Sequence, residues 1–259
     1  METAGKALAE KLKLYGLVAH WESVSGEPWV GKLLQWEREE RQRRSLERRV
    51  SHAHLGHYKP LVDFDWNWPQ KIDRDLLEEL FRTSFVEEGT NVILMGPNGV
   101  GKTMLARNLA HAAVMHGHSA LVVTASDMLA ELGAQETASL RTRRLKRFVD
   151  PKLLVVDELG YLSYGQQHAD LLFEVVSRRY QHNQKRSTVV TTNKPFSEWN
   201  QVFPNAACLV TLIDRLVHHA EVVAIEAESY RLKEAQEQAQ KKRSVRSKRR
   251  GGAQRDLLT

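Results

Sequence analysis

One cysteine, Cys208, stands in 259 residues. That excludes an intramolecular disulfide framework and any cysteine-built zinc site, and it fits a reducing compartment. Cys208 has no evident basic partner along the chain and reads as a small core residue. Nowhere do apolar residues run uninterrupted for the length of a membrane span. The opening Met1-Glu-Thr-Ala-Gly-Lys lacks the basic-then-apolar layout of a secretory signal. The expectation is a cytoplasmic protein with no membrane partner. Histidines are present without companions. His52, His54 and His57 have no acidic or thiol neighbours, and the adjacent His218 and His219 cannot present two ligands at i, i+4 spacing on a helix. No internal repeat is visible.

Acidic residues are nearly missing from residues 241–259, where eight Lys or Arg face Asp256 alone. The net charge of +6 is therefore a property of this tail, and the rest of the chain is close to neutral. Its charge and Gly251-Gly252 predict a disordered basic segment over 241–259. Two further basic clusters stand out. Residues 37–49 interleave six arginines with four glutamates, so Glu37–Arg41 and Glu40–Arg44 pairs at i, i+4 describe a solvated helix. Residues 141–147, Arg141-Thr-Arg-Arg-Leu-Lys-Arg147, hold five cations with no acidic neighbour in sequence, which suits phosphate contacts.

Strand-like runs are absent from residues 4–59, which are rich in Leu, Arg, Glu and Lys. Leu8, Leu12, Tyr15 and Ala19 share helical spacing, a break falls at Ser25-Gly26-Glu27-Pro28, and a second helix is expected from about Val30 to His54. Trp21, Trp29 and Trp36 are candidates for a partner surface on this module. Residues 1–60 are thus expected to form a small all-helical module and residues 61–240 the main domain. After a polar, aromatic connector at 63–69, helical spacing returns over Ile72–Phe85. Apolar runs at Val92–Met95, Ala120–Thr124, Leu153–Val156, Thr188–Thr192 and Glu221–Ile225 then alternate with helix-like stretches. This predicts an α/β fold with a parallel five-stranded sheet sandwiched by helices, and the continuous apolar runs suit strands covered on both faces.

Gly96-Pro97-Asn98-Gly99-Val100-Gly101-Lys102-Thr103 is a complete G-x-x-x-x-G-K-T phosphate loop between the first strand and a helix running from Met104. In such a loop, backbone N–H groups and a helix N-terminus surround the phosphates of a nucleoside triphosphate, the lysine adds a cation, and the threonine hydroxyl a ligand for Mg²⁺. Leu153-Leu-Val-Val-Asp157-Glu158 carries two carboxylates to the carboxyl end of a strand, where ligands of parallel sheets gather. Asp157 is the expected Mg²⁺ partner, and Glu158 is placed to polarise a water for attack on the γ-phosphate. Asn193, at the end of the fourth strand, is the candidate γ-phosphate sensor. Arg215, in Leu212-Ile-Asp-Arg215-Leu, or Arg178 or Arg179, at the end of an earlier helix, could supply an arginine to a neighbouring subunit's nucleotide.

The motifs G-P-N-G-V-G-K-T, L-L-V-V-D-E-L-G-Y-L, L-F-E-V-V-S-R-R-Y, T-T-N-K-P-F-S-E-W, I-D-R-L and E-S-Y-R resemble IstB, the insertion-sequence ATP-binding proteins. These belong to the AAA+ group of P-loop NTPases, close to the helicase loader DnaC. The resemblance spans nearly the whole chain, and the helical N-terminal module favours IstB. It implies ATP and Mg²⁺ as cofactors, with Lys102, Thr103, Asp157, Glu158 and Asn193 as the two Walker motifs and sensor 1, and Met104 beside the loop. Arg215 stands where the trans-acting arginine finger is expected. Arg231 lies near the place of a sensor 2 arginine, although so few residues follow it that the helical lid should be reduced or absent. Phe64, with Trp66, falls where a hinge segment covers the adenine. Arg141, Arg143, Arg144 and Lys146 become candidates for contacts to the DNA backbone.

The function implied is an ATPase that regulates transposition. It would form a homo-oligomer on double-stranded DNA with ATP between subunits, recruit the cognate transposase, and disassemble on hydrolysis. A DnaC-like helicase loader, a small-molecule kinase on the same loop, and a passive ATP-stabilised scaffold are the alternatives.

Overall fold

The computed structural model describes residues 2–181 and 185–235. The expected basic tail at 241–259 and most of the region where a lid would stand lie outside the described residues. The chain divides into two compact units, one of residues 1–52 and one from Ala53 onward. The division falls earlier than residue 60 because residues 53–59 belong to the second unit. There Ala53 O accepts from Val122 N at 2.9 Å, and Lys59 O from Asn108 Nδ2 at 3.0 Å.

The first unit contains α1 (Glu2–Lys11), α2 (Tyr15–Ala19), α3 (Trp21–Val24) and α4 (Pro28–His52). The helical spacing from Leu8 to Ala19 is interrupted, because Lys13 turns into the left-handed region at φ 55°. Leu12 consequently faces the core and Tyr15 is 69% exposed. Ala9, Leu12, Trp21, Val30 and Leu34 make that core. A Cβ at Gly5 would stand 2.9 Å from the Trp21 ring, so glycine lets α1 lie against the indole. Trp21 is thus a packing residue, whereas Trp29 and Trp36 are exposed. Along the solvated part of α4 the expected Glu37–Arg41 and Glu40–Arg44 pairs form at 3.0 and 2.6 Å.

The second unit begins with a turn at Leu61–Asp63, then α5 (Arg74–Leu80) and α6 (Ser84–Glu88), which divide the single helix expected over 72–85 at a left-handed Thr83. Thereafter come β1 (Asn91–Met95), α7 (Lys102–Met115), β2 (Ala120–Thr124), α8 (Ala125–Gly133), α9 (Ala138–Val149), β3 (Leu153–Leu159), α10 (Gln166–Tyr180), β4 (Ser187–Thr192), α11 (Trp199–Val202), α12 (Leu209–Val217) and β5 (Ala220–Ala224). All strand pairs are parallel, in the order β2-β3-β4-β1-β5. This order puts β4 between the strand that leads into the phosphate loop and the strand that carries Asp157. The central strands are buried along their length, which is why they read as apolar runs. The edge strand β5 is largely exposed.

The polar residues of buried β4 all have partners. Ser187 Oγ donates to Phe85 O at 2.9 Å, Thr188 Oγ1 accepts from Arg179 Nε at 3.0 Å, and Thr192 Oγ1 bonds within the turn at Lys194. Arg179 is 3% exposed, and its guanidinium donates to the carbonyl oxygens of Phe148, Val149, Pro151, Lys152 and Ser187. Burial, with Arg186 nearby, pushes its pKa down to about 9. Arg179 therefore caps the end of α9 and the start of β3 from inside, which corrects its candidacy as a trans-acting arginine. Arg179→Ala should leave several buried carbonyls unsatisfied and cost about 3 kcal/mol or more. Urea denaturation would measure this as a lower midpoint, and an unchanged midpoint would refute the capping role.

Candidate nucleotide site

The phosphate loop is shaped by close approach and by backbone sign. A Cβ at Gly96 would collide with the Ile225 carbonyl oxygen beyond β5. Gly99 and Gly101 sit at φ 82° and 97°, a region that side chains penalise. The Phe64 ring fills the space beside Gly101. Gly101 is also the N-cap of α7 and supplies no side-chain cap, so the first turn presents its N–H groups to an anion.

Lys102, at the head of α7, is 4% exposed and donates to the carbonyl oxygens of Gly96 and Pro97, each at 2.6 Å. Burial lowers its pKa to about 8, against the opposing pull of Asp157, and Arg231 adds a repulsive charge. Such a buried cation gains most from negative phosphate oxygens placed beside it.

Asp157 is 2% exposed. Its Oδ1 accepts from Thr103 Oγ1 at 3.0 Å, Thr191 Oγ1 at 2.6 Å and Glu158 N at 3.1 Å. The β3–β4 register shifts between Val156 and Leu159, and within that bulge Glu158 takes a left-handed φ of 63°. Bulges beside active sites re-aim side chains. Here Asp157 turns into the protein while Glu158 is exposed and lines the cavity.

Thr103 and Asp157 form a pair of hard oxygen donors that suits Mg²⁺, which takes one or two protein ligands and completes its shell with phosphate and water. Among the described residues no cluster of three or more His, Cys, Asp or Glu could hold a metal alone.

The cavity measures about 370 Å³. Residues 99–104 form its floor, including Val100 and Met104, with Glu158 and Tyr161 on one side. Tyr58, Phe64, Trp68 and Tyr230 give it an aromatic wall, and Arg107 and Arg231 add cations. Asn98 is exposed and does not line the cavity. Trp66 does not line the cavity; it packs edge-on against Phe64 at 4.8 Å, with the Arg74 guanidinium 5.0 Å from its ring. Trp68 takes the lining position expected for Trp66.

The segment after β5 crosses this wall. Tyr230 N donates to Gly99 O at 3.1 Å, Trp68 Nε1 to Glu228 O at 2.8 Å, and Lys233 Nζ lies 4.3 Å from the Trp68 ring centre. This brings Arg231 into the cavity. Asn193 is not in the cavity wall. It packs against Gly160, two residues past Glu158, and its Oδ1 is buried without a partner among the described residues.

Arg215 lies elsewhere. With Asn91 and Thr188, at the amino ends of β1 and β4, it lines a separate cavity, so it cannot serve the nucleotide bound by its own chain. Ser177 Oγ accepts from its guanidinium, which also stacks over Phe173 at 4.8 Å. Arg178 is paired with Glu174 at 2.6 Å on the surface of α10.

The basic segment forms α9 and is divided. Arg144 and Arg147 pair with Glu131 of α8, each at 2.6 Å, which corrects the expectation of a cluster without acidic partners. Arg141 is half-buried and reaches Gln135 O at 3.5 Å. Arg143 and Lys146 face outward together with Thr142.

The profile of the family described as IstB-like ATP binding protein matches residues 5–238. The chain belongs to this family. It is 36% identical over 238 residues to the ATP-binding protein of insertion sequence IS21 from Pseudomonas aeruginosa, covering 88% of this chain and 89% of that one. It is 30% identical over 236 residues to the counterpart of insertion sequence IS5376 from Geobacillus stearothermophilus, covering 91% and 93%. Among solved structures, DnaI superposes with a TM-score of 0.52 at 22% identity, over 66% of this chain and 89% of that one. DnaA of Aquifex aeolicus bound to AMPPCP superposes at 0.50 and 16% identity, over 69% and 56%. These likenesses show an AAA+ P-loop fold.

For this family member, Lys102→Ala should weaken Mg-ATP binding at least about tenfold without lowering the melting temperature, because a buried ammonium is removed along with its desolvation cost. Fluorescent-nucleotide titration and a thermal melt check both halves; unchanged affinity would remove Lys102 from the site.

Proposed function

We propose that the protein is an ATP-hydrolysing regulator of transposition that assembles on duplex DNA through nucleotides shared between subunits. The observation that carries this reading is the meeting of Lys102, Thr103 and Glu158 around one cavity, with Asp157 bonded to Thr103 behind it and Arg215 at the opposite end of the same sheet. Lys102, Arg231 and the first turn of α7 would bind the phosphates, and the aromatic wall, Phe64 included, would hold the base. Thr103 and Asp157 would hold Mg²⁺, which neutralises charge developing on the phosphates. Glu158 would take a proton from the attacking water as its oxygen bonds to the γ-phosphorus and the bond to the β,γ-bridging oxygen breaks, yielding ADP and phosphate. Asn193, packed behind Gly160 and outside the cavity wall, would act on the γ-phosphate or that water only if the strand end shifts when nucleotide binds. Arg215 would enter a neighbour's site, where charge is greatest in the transition state.

Arg143 and Lys146 offer the outward cations for the DNA backbone, and such contacts position duplex without reading its sequence. Trp29 and Trp36 give the N-terminal module an apolar surface for the cognate transposase. The relatives' names, ATP-binding proteins of insertion sequences, support this assignment over a small-molecule kinase.

Two measurements test the reading. Light scattering should find large complexes only with ATP-Mg²⁺ and duplex together, and Glu158→Gln should trap them; a monomer indifferent to both ligands would overturn the assembly mechanism, and preference for single strands would favour a helicase loader. Arg143→Ala with Lys146→Ala should flatten the salt dependence of duplex binding by about two phosphate equivalents. Arg144→Ala should change it less, since its charge is already paired; an unchanged slope in the double variant would remove α9 from the interface.

A further inference from the structure

We infer that Thr191 is a positioning residue for this chemistry, setting the Mg²⁺-facing carboxylate and the water-activating glutamate through one hydroxyl. The inference rests on the ATPase reading above. Thr191 is 1% exposed on β4, between β1 and β3. It stands opposite Leu94 of β1, and the interrupted register leaves it facing the bulge of β3. Its Oγ1 donates to Asp157 Oδ1 at 2.6 Å and accepts from Glu158 N at 2.9 Å. One side chain thus touches both adjacent acidic residues without itself lining the cavity.

Both bonds have consequences. A buried carboxylate has two oxygens, and Oδ1 of Asp157 is already committed to Thr103, Thr191 and Glu158 N. That fixes the carboxylate plane and leaves Oδ2 to face a cation or its water. The bond from Glu158 N, meanwhile, helps to hold a non-glycine residue in the left-handed conformation, whose steric cost the surroundings must offset. Without the Thr191 acceptor, Glu158 N keeps the longer contact to its neighbour Asp157 among the described residues. A hydroxyl is required because it must accept and donate at once. Valine has the same shape and can do neither.

The test compares Thr191→Val and Thr191→Ser in the full chain, after thermal melts confirm that both fold. The first readout is the Mg²⁺ dependence of fluorescent-ATP binding, with binding in EDTA as the baseline; the second is kcat and KM for ATP. Outer-sphere partners of metal ligands typically contribute about 10- to 100-fold. Thr191→Val should therefore raise the half-saturating Mg²⁺ about tenfold and lower kcat at least tenfold, with affinity in EDTA and KM little changed. Thr191→Ser should restore both. A wild-type Mg²⁺ response in the valine variant would overturn the inference, as would serine failing where valine fails, since that assigns the effect to packing. Should the wild type bind Mg-ATP but show no turnover, the hydrolysis reading falls and the Mg²⁺ response alone decides the role of Thr191.

Discussion

One carboxylate oxygen joins three elements of the nucleotide site. Asp157 Oδ1 accepts from Thr103 at the head of α7, from Thr191 on β4, and from the backbone of Glu158 on its own strand. Around it the phosphate loop, the Thr103–Asp157 pair and the bulge acquire a common origin, so a shift in any one element moves the other two. Burial of this carboxyl group is offset by the three donors gathered on Oδ1. The same three bonds make Oδ1 a precise support, since each donor comes from a different segment.

The parallel sheet explains why these segments meet. Strand order β2-β3-β4-β1-β5 makes β3, β4 and β1 neighbours, and all three end at the same edge. Three stretches distant in sequence therefore deliver Asp157, Thr191 and the phosphate loop to one place. The opposite edge carries a different set: Arg215 braced by Ser177 and Phe173, and Arg179 buried among carbonyls. Neighbouring arginines of one helix thus have separate fates. Arg178 makes a surface pair, while Arg179 holds α9 to the start of β3.

Much of this was legible in sequence because it lies in local patterns. The phosphate loop, the Asp157-Glu158 strand end and all five strands follow from short apolar runs bounded by glycine or polar residues, with β2 unshifted and the other boundaries displaced by at most three positions. What escaped was decided by contacts between distant segments. Nothing in Arg141–Arg147 announces that Glu131 neutralises two of its cations, because that partner arrives from the preceding helix. Tyr15 keeps helical spacing with Leu8 and Leu12, yet Lys13 breaks the helix and turns it outward. Arg231 is placed near a sensor 2 position by resemblance alone, whereas the packing of Tyr230 on Gly99 and of Lys233 on Trp68 brings it to the cavity. Thr191 was visible only as part of a Thr-Thr-Asn strand end, and its two hydrogen bonds depend on a bulge in a neighbouring strand.

The placing of Arg215 and of the nucleotide cavity at opposite ends of one sheet has a geometric consequence. A contact that brings one to the other joins unlike surfaces, so it cannot be two-fold symmetric; repeated, it gives either a closed ring or a helical filament. Any open filament built this way is directional. At one of its two ends stands a copy whose cavity, though lined by its own Arg107 and Arg231, meets no neighbour's Arg215, and on the proposed reading that copy would hydrolyse last.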